Sequence, residues 1–281
     1  MAVISSQTVQ AFCLRILKNG DLASKLEPLE KASAGRIQWD ENRAPIHLQW
    51  PERDESIQMT RMSERLPKLN QLHDPKARMT CIQRFAHHEL QAVELFAWSI
   101  LTFSNIPAAL VRGLLKVLQE EQRHCSMYLD RIKELGGHFG EEGLSDYFWR
   151  HIPASSGEGK DITSFLSAMG LTLEQANLDF TEMYMKGFSD AGDHQTADII
   201  KEIHADEVGH VRLAATWIKK GLRPGETLQT AYENSVPFPL SAARAKGRRF
   251  NAQARRDAGL SDDFIKYVQD ARPYKKRHKE T

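Results

Sequence analysis

The chain has 281 residues, 41% of them hydrophobic and 27% charged, with a formal net charge of +1; that balance excludes wholesale disorder and allows a sizeable buried core. The longest nearly apolar run, 95–103, falls far short of the roughly 20 residues that span a bilayer. Residues 1–10 lack a secretory pattern, and three widely spaced cysteines (Cys13, Cys81, Cys125) make neither a disulfide framework nor a zinc motif, so a reducing, cytoplasmic setting away from membranes is expected.

Residues 1–78 mix short helical pieces with proline-containing connections (Pro28, Pro45, Pro51, Pro67, Pro75) and read as an irregular N-terminal wrapping segment. Four long stretches of helical periodicity follow, with almost none of the alternation that marks strands. The first covers 77–103 and stops at Ser104-Asn105; the second opens on Pro107, suited to a helix's first turn, and ends at Gly136-Gly137. A polar connection, 137–160, carries Tyr147, Phe148 and Trp149 as a docking patch. The third helix, 161–191, is expected to break or bend at Gly170, and the fourth, 193–220, stops at Gly221 and Pro224. Two short connections flanking one long one describe an all-α four-helix bundle over 79–221, two antiparallel hairpins joined by a crossover. Residues 222–281 form a C-terminal extension. From 241 onward it holds 12 Lys+Arg and 5 Asp+Glu, leaving 26 basic and 32 acidic residues elsewhere. Such an arm can attract nucleic acid or fold back onto its own acidic domain; with no aromatic-interleaved platform, the second is expected.

The second helix carries Leu114, Val117, Glu121, His124, Tyr128, Ile132 and Leu135 in steps of three and four, and the fourth carries Ile200, Ile203, Glu207, His210, Ala214 and Trp217. These are the faces that turn inward. Each buried stripe therefore holds a Glu-x-x-His pair, and ionisable groups there are costly unless paired or bound to metal. About one such pair is expected by chance, so placement rather than number carries the argument. Two helices offering Glu-x-x-His and two offering one glutamate each is the ligand plan of di-iron and di-manganese bundles.

Hairpin geometry selects the single glutamates, because antiparallel partners meet at equal distances from their turn. Glu121 lies 14 residues after Pro107 and Glu89 lies 14 before Phe103, whereas Glu94 is five residues off, about 7 Å. Glu207 lies 14 after Asp193 and Glu174 lies 16 before Asp190, whereas Glu182 lies only 8 before it. The expected ligands are Glu89, Glu121, His124, Glu174, Glu207 and His210, the alternative being ion-paired glutamates and core histidines. Glu120 and Asp206, each preceding a ligand glutamate, are placed to accept the free ring N–H of a histidine ligand, with Arg123 as their anchor. His204, one turn before Glu207, is read as a supporting or surface residue.

The segments Arg84-Phe-Ala-His-His-Glu-Leu-Gln-Ala-Val-Glu-Leu95, Glu120-Glu-Gln-Arg-His124, Leu173-Glu-Gln-Ala-Asn-Leu-Asp179 and Asp206-Glu-Val-Gly-His210 resemble a ferritin-like family of bacterial proteins labelled as a domain of unknown function. The likeness extends to Arg248-Arg-Phe-Asn-Ala-Gln-Ala-Arg-Arg-Asp-Ala-Gly259 and to the proline-rich residues 45–75, and so covers most of the chain. The Glu120–His124 segment is also similar to the Glu-Glu-x-Arg-His signature of acyl desaturases and bacterial multicomponent monooxygenases. The resemblance implies a ferritin-like fold in which the six residues ligate two non-haem metal ions, iron first, manganese or a mixed pair otherwise. The leading expectation is a dioxygen-activating oxidase or hydroxylase of a small organic substrate, supplied by an external electron donor because no flavin or nicotinamide motif is present. The N-terminal wrap, the crossover and the C-terminal arm are candidates for shaping its pocket. The alternatives are an iron-handling or peroxide-detoxifying protein and a non-enzymatic helical scaffold. A homodimer is compatible with each, with no interface legible.

Overall fold

A computed structural model describes residues 8–29, 39, 41–62 and 65–273. Four long helical stretches dominate it: α3 (Pro75–Thr102), α4 (Ala108–Glu134), a third stretch ending in α7 (Gln175–Asp190), and α8 (His194–Lys220). Their ends follow local chemistry. Asp74 caps α3 by accepting from Lys76 N, with Pro75 in the first turn, and Asp193 caps α8 by accepting from Thr196 N. Gly136 (φ +80°) and Gly192 (φ +81°) take the left-handed conformation that stops α4 and α7, where a side chain would be strained.

The third stretch is continuous. It begins as α6 (Ile162–Phe165), widens into π-helical turns over Leu166–Glu174 and returns to α geometry in α7. Gly170 does not break it, but lies inside the π-helical turns, where the 3.6-residue repeat is interrupted. It permits a close approach to α8: a Cβ on Gly170 would lie 2.3 Å from Ala214 Cβ.

Helices α3 and α4 pack along each other, as do α7 and α8, and the two pairs meet through α4 and α8. The expected seams are buried except at their ends, where Leu135 after α4 is 38% exposed and Trp217 on α8 is half-buried. An apolar layer containing Ala92, Leu118 and Val211 lies on one side of the polar stripe, and another containing Ala86, Tyr128 and Ile203 lies on the other. Glu89, Glu121, His124, Glu207 and His210 fall between them in sequence, so the acids interrupt a core that would otherwise be continuous.

The flanking segments dock on the long helices. At the N-terminal end, α1 (Val9–Lys18) packs on α3 and α2 (Leu22–Leu26) on α4. The sequence shows no strand, but β1 (Met59–Thr60) pairs in parallel with β2 (Leu144–Ser145), stitching the N-terminal segment to the crossover. The crossover also carries α5 (Tyr147–His151), whose Trp149 is buried and donates to Glu94 at 3.0 Å. Beyond α8, α9 (Leu228–Ser235), α10 (Ala252–Asp257) and α11 (Asp262–Asp270) fold back. Arg255 is buried against Asp179 at 2.7 and 3.0 Å, and Arg212 and Lys219 of α8 donate to the carbonyls of Asp257 and Gly259. Four basic residues of the arm, Lys275, Lys276, Arg277 and Lys279, lie outside the described residues. No described helix is long and apolar enough to cross a membrane.

Candidate metal centre

Six side chains converge between the hairpins. Glu89 comes from α3, Glu121 and His124 from α4, Glu174 from the end of the π-helical turns, and Glu207 and His210 from α8. They form two overlapping groups, Glu89–Glu121–His124–Glu207 and Glu121–Glu174–Glu207–His210, each with ligand atoms within 4.8 Å of one another. Glu121 and Glu207 belong to both. Every one of the six is buried, and buried Glu/His groups of this kind could hold a metal ion.

The histidine rings face the same way relative to the centre. His124 turns Nδ1 toward Glu121, at 3.4 Å, and Nε2 toward Asp206 Oδ2, at 3.0 Å. His210 turns Nδ1 toward Glu121, at 3.0 Å, and Nε2 toward Glu120 Oε2, at 3.3 Å. A carboxylate only accepts, so each Nε2–H donates outward; in the neutral ring that makes Nδ1, which faces Glu121, the nitrogen open to a metal ion. The supports cross between helices: the α4 histidine leans on an α8 acid and the α8 histidine on an α4 acid. Arg123 pairs with Asp206 and Glu202 rather than with Glu120, which takes Lys116.

Polar satisfaction distinguishes this cluster from an ordinary buried network. Among the described residues, both carboxylate oxygens of Glu121, one each of Glu174 and Glu207, and the Nδ1 atoms of His124 and His210 meet no partner in hydrogen-bonding geometry, although His210 Nδ1 approaches Glu121. Buried polar atoms are normally paired, and here six inward-facing ones are not. Electrostatics say the same. Burial first, then the facing Glu121 and Glu207 charges, pushes the Glu89 carboxyl well above its ordinary range; burial and Glu174 do the same to Glu207. Against the cost of burial, the neighbouring histidines hold Glu121 far below the carboxylate range, and Glu121 in turn drives His210 well upward. Four carboxylates beside two imidazoles cannot all be charged without added cations.

The rejected glutamates have other partners. Glu94 is held by Lys25 and Arg53, and Glu182 accepts from Asn251. His204 bonds the Thr181 hydroxyl at 2.7 Å and belongs to neither group. His87 approaches the Ser145 carbonyl at 2.7 Å, and His88 stacks on Phe148. Asn177, not anticipated as a partner, donates to Glu207 at 3.3 Å. The turn-distance rule would have found it, since it lies 13 residues before Asp190.

A cavity of about 870 Å³ reaches the cluster, with Glu89 and Glu207 in its wall. The N-terminal segment (Arg61, Met62), the crossover (Tyr147, Phe148, Arg150) and the C-terminal extension (Ala243, Arg244, Lys246) complete it around the helices.

An uncharacterized protein of Haemophilus influenzae is 28% identical over 109 residues, which cover 39% of this chain and 37% of the relative's own length. No solved structure matches. Residues 18–266 match the family described as "Protein of unknown function (DUF455)", and the chain, matched over most of its length, belongs to that family.

Proposed function

We propose that the protein is a ferritin-like carboxylate protein holding two non-haem metal ions, and that it is an oxidase or hydroxylase of a small organic substrate. The observation that carries this reading is the set of six buried, inward-facing donor atoms without partners, in two groups that share Glu121 and Glu207. Each group offers three carboxylates and one imidazole, and Glu121 and Glu207, common to both, would be shared by the two ions. Four carboxylates and two neutral imidazoles balance two divalent ions in charge, and hard oxygen donors suit iron or manganese. Bound there, a redox-active metal pair would supply dioxygen chemistry.

The chain's own residues do the rest. Asp206 and Glu120 fix the histidine tautomers and raise ligand basicity. Asn177 steadies Glu207, and the apolar layers on either side keep water from the buried ligands. The cavity that opens on Glu89 and Glu207 favours turnover of an organic molecule over storage of iron.

The test is metal content per chain, by mass spectrometry, after anaerobic loading with ferrous or manganous ion and desalting. About two ions per chain are expected from the two groups, falling to none in the Glu121→Ala/Glu207→Ala variant. Oxygen uptake by the iron-loaded protein with a reductant is the second reading. Wild-type protein that retains no metal refutes the proposal, and many irons per chain replace it with iron handling.

A further inference from the structure

The cavity wall is sorted by charge. Glu89 and Glu207, both buried, are the only acids among its described lining residues, and their burial puts them at the inner end. Four cations, Arg61, Arg150, Arg244 and Lys246, also line it, and Arg61 and Arg244 are exposed, which puts them at the mouth. Arg150 is paired with Asp146, but Arg61, Arg244 and Lys246 have no carboxylate partner among the described residues. Two of them are held in place by neutral groups. Arg244 donates to the Tyr147 hydroxyl at 2.6 Å, and Lys246 donates to the carbonyls of Gln269 and Ala271 at 2.5 and 2.9 Å. Their positive charge is therefore positioned with no carboxylate at ion-pair distance among the described residues, Asp270 and Asp179 acting on Lys246 only from further off, which prepares a site for an anion at little ordering cost.

The wall is also rich in aromatic rings: Phe85, Tyr128, Tyr147, Phe148, Phe180 and Tyr184. Phe180, 37% exposed, adds apolar surface to that wall. The volume, about 870 Å³, suits a small molecule rather than a peptide or nucleic-acid strand.

The geometry points to an aromatic or otherwise apolar small molecule that carries an anionic group, carboxylate or phosphate, at one end. The anion rests on Arg61, Arg244 and Lys246, and the apolar body runs inward between the rings toward Glu89 and Glu207. This assignment rests on the metal-centre reading for what happens at the inner end, but anion selection belongs to the mouth alone.

Fluorescence titration of the full chain with four probes of one ring system tests it: 1-naphthyl phosphate, 1-naphthylacetate, neutral 1-naphthylmethanol and cationic 1-naphthylmethylamine. The protein is used both chelator-stripped and iron-loaded. At least one anion is expected to bind about tenfold or more tighter than the alcohol, the amine weakest, with the phosphate and acetate arms deciding which anion is preferred. Arg61→Gln/Arg244→Gln is expected to reduce that preference to about threefold or less while leaving affinity for the alcohol unchanged. Equal binding of anions and alcohol, or a preference untouched by the double variant, overturns the assignment. Metal content measured on the same samples separates the two readings. Anion preference without metal leaves this inference standing and removes the metal centre, and two metals per chain without anion preference does the reverse.

Discussion

Replacing Glu94 with alanine perturbs a heavily loaded buried charge outside the six-residue cluster. Glu94 lies on α3 with no exposure. It accepts from Arg53 Nε at 3.0 Å and Nη2 at 2.8 Å, from Lys25 Nζ at 3.0 Å and from Trp149 Nε1 at 3.0 Å. One carboxylate therefore ties the N-terminal segment and the crossover to the first hairpin. Breaking a buried pair by removing one partner costs about 3–5 kcal/mol, because the remaining charge is left unpaired. Here two cations lose their carboxylate, keeping the Ile57 and Ile16 carbonyls, and an indole N–H loses its acceptor, so the cost falls at the upper end, about 4–5 kcal/mol. In a chain of this size that lowers the thermal midpoint by roughly 8–20 °C. Lys25→Met is the control. It leaves the Arg53–Glu94 pair intact and is expected to cost about 1–2 kcal/mol.

Thermal unfolding followed by circular dichroism reads both variants. The pH dependence gives an independent check. Although burial opposes it, Arg53 and Lys25 hold the Glu94 carboxyl below its ordinary value of 4.5. A depressed carboxylate contributes stability that is complete above the unfolded value and is lost as pH falls through the folded one. The gap between wild type and Glu94→Ala should therefore be flat between about pH 6 and 8 and shrink only below about 4.5. A midpoint shift under about 3 °C, a gap that closes between neutrality and pH 5, or a Lys25→Met cost equal to that of Glu94→Ala would each refute the reasoning.

Asp179→Ala should release the C-terminal extension, since Asp179 accepts from Arg255 and from the backbone N–H groups of Gly247 and Asn251. A cost of about 3–5 kcal/mol and early proteolytic cleavage within 245–273 are expected; unchanged protease resistance counts against it. Gly170→Ala should destabilise by roughly 1–3 kcal/mol through its clash with Ala214. Ala214→Gly in the same chain should recover most of that in urea titrations, and failure of the rescue would place the strain elsewhere. Asp206→Asn and Glu120→Gln should each weaken metal retention about 10–100-fold in competition with a chelator. Retention equal to wild type would show that the histidines need no outer partner.

Much of the metal-centre candidate was legible because hairpins convert chain distance into height. Glu89 with Glu121, and Glu174 with Glu207, share a level because antiparallel helices rise at one rate from a common turn. The same rule excludes Glu94 and Glu182, and applied once more it reaches Asn177. Helical periodicity placed the Glu-x-x-His pairs on buried stripes, and the long helices end where proline, asparagine and glycine stop them.

Tertiary structure decided what depends on contacts between distant segments. No periodicity brings Lys25 and Arg53 to Glu94, Arg255 to Asp179, or β1 to β2, because each joins elements whose relative placement is set by packing rather than by a short turn. The fate of Gly170 was hidden for a related reason: its weak helix propensity is a local property, whereas its close fit to Ala214 belongs to two helices at once. The cavity is the furthest case. Its cations come from residues 61, 150, 244 and 246, and only the docking of the N-terminal segment, the crossover and the C-terminal extension brings them into one cavity with Glu89 and Glu207. By itself the sequence determined the helices and the level at which their acids meet, since both follow from local periodicity; the folded chain decided which charges are paired and which face the cavity, since charge pairing depends on proximity in space.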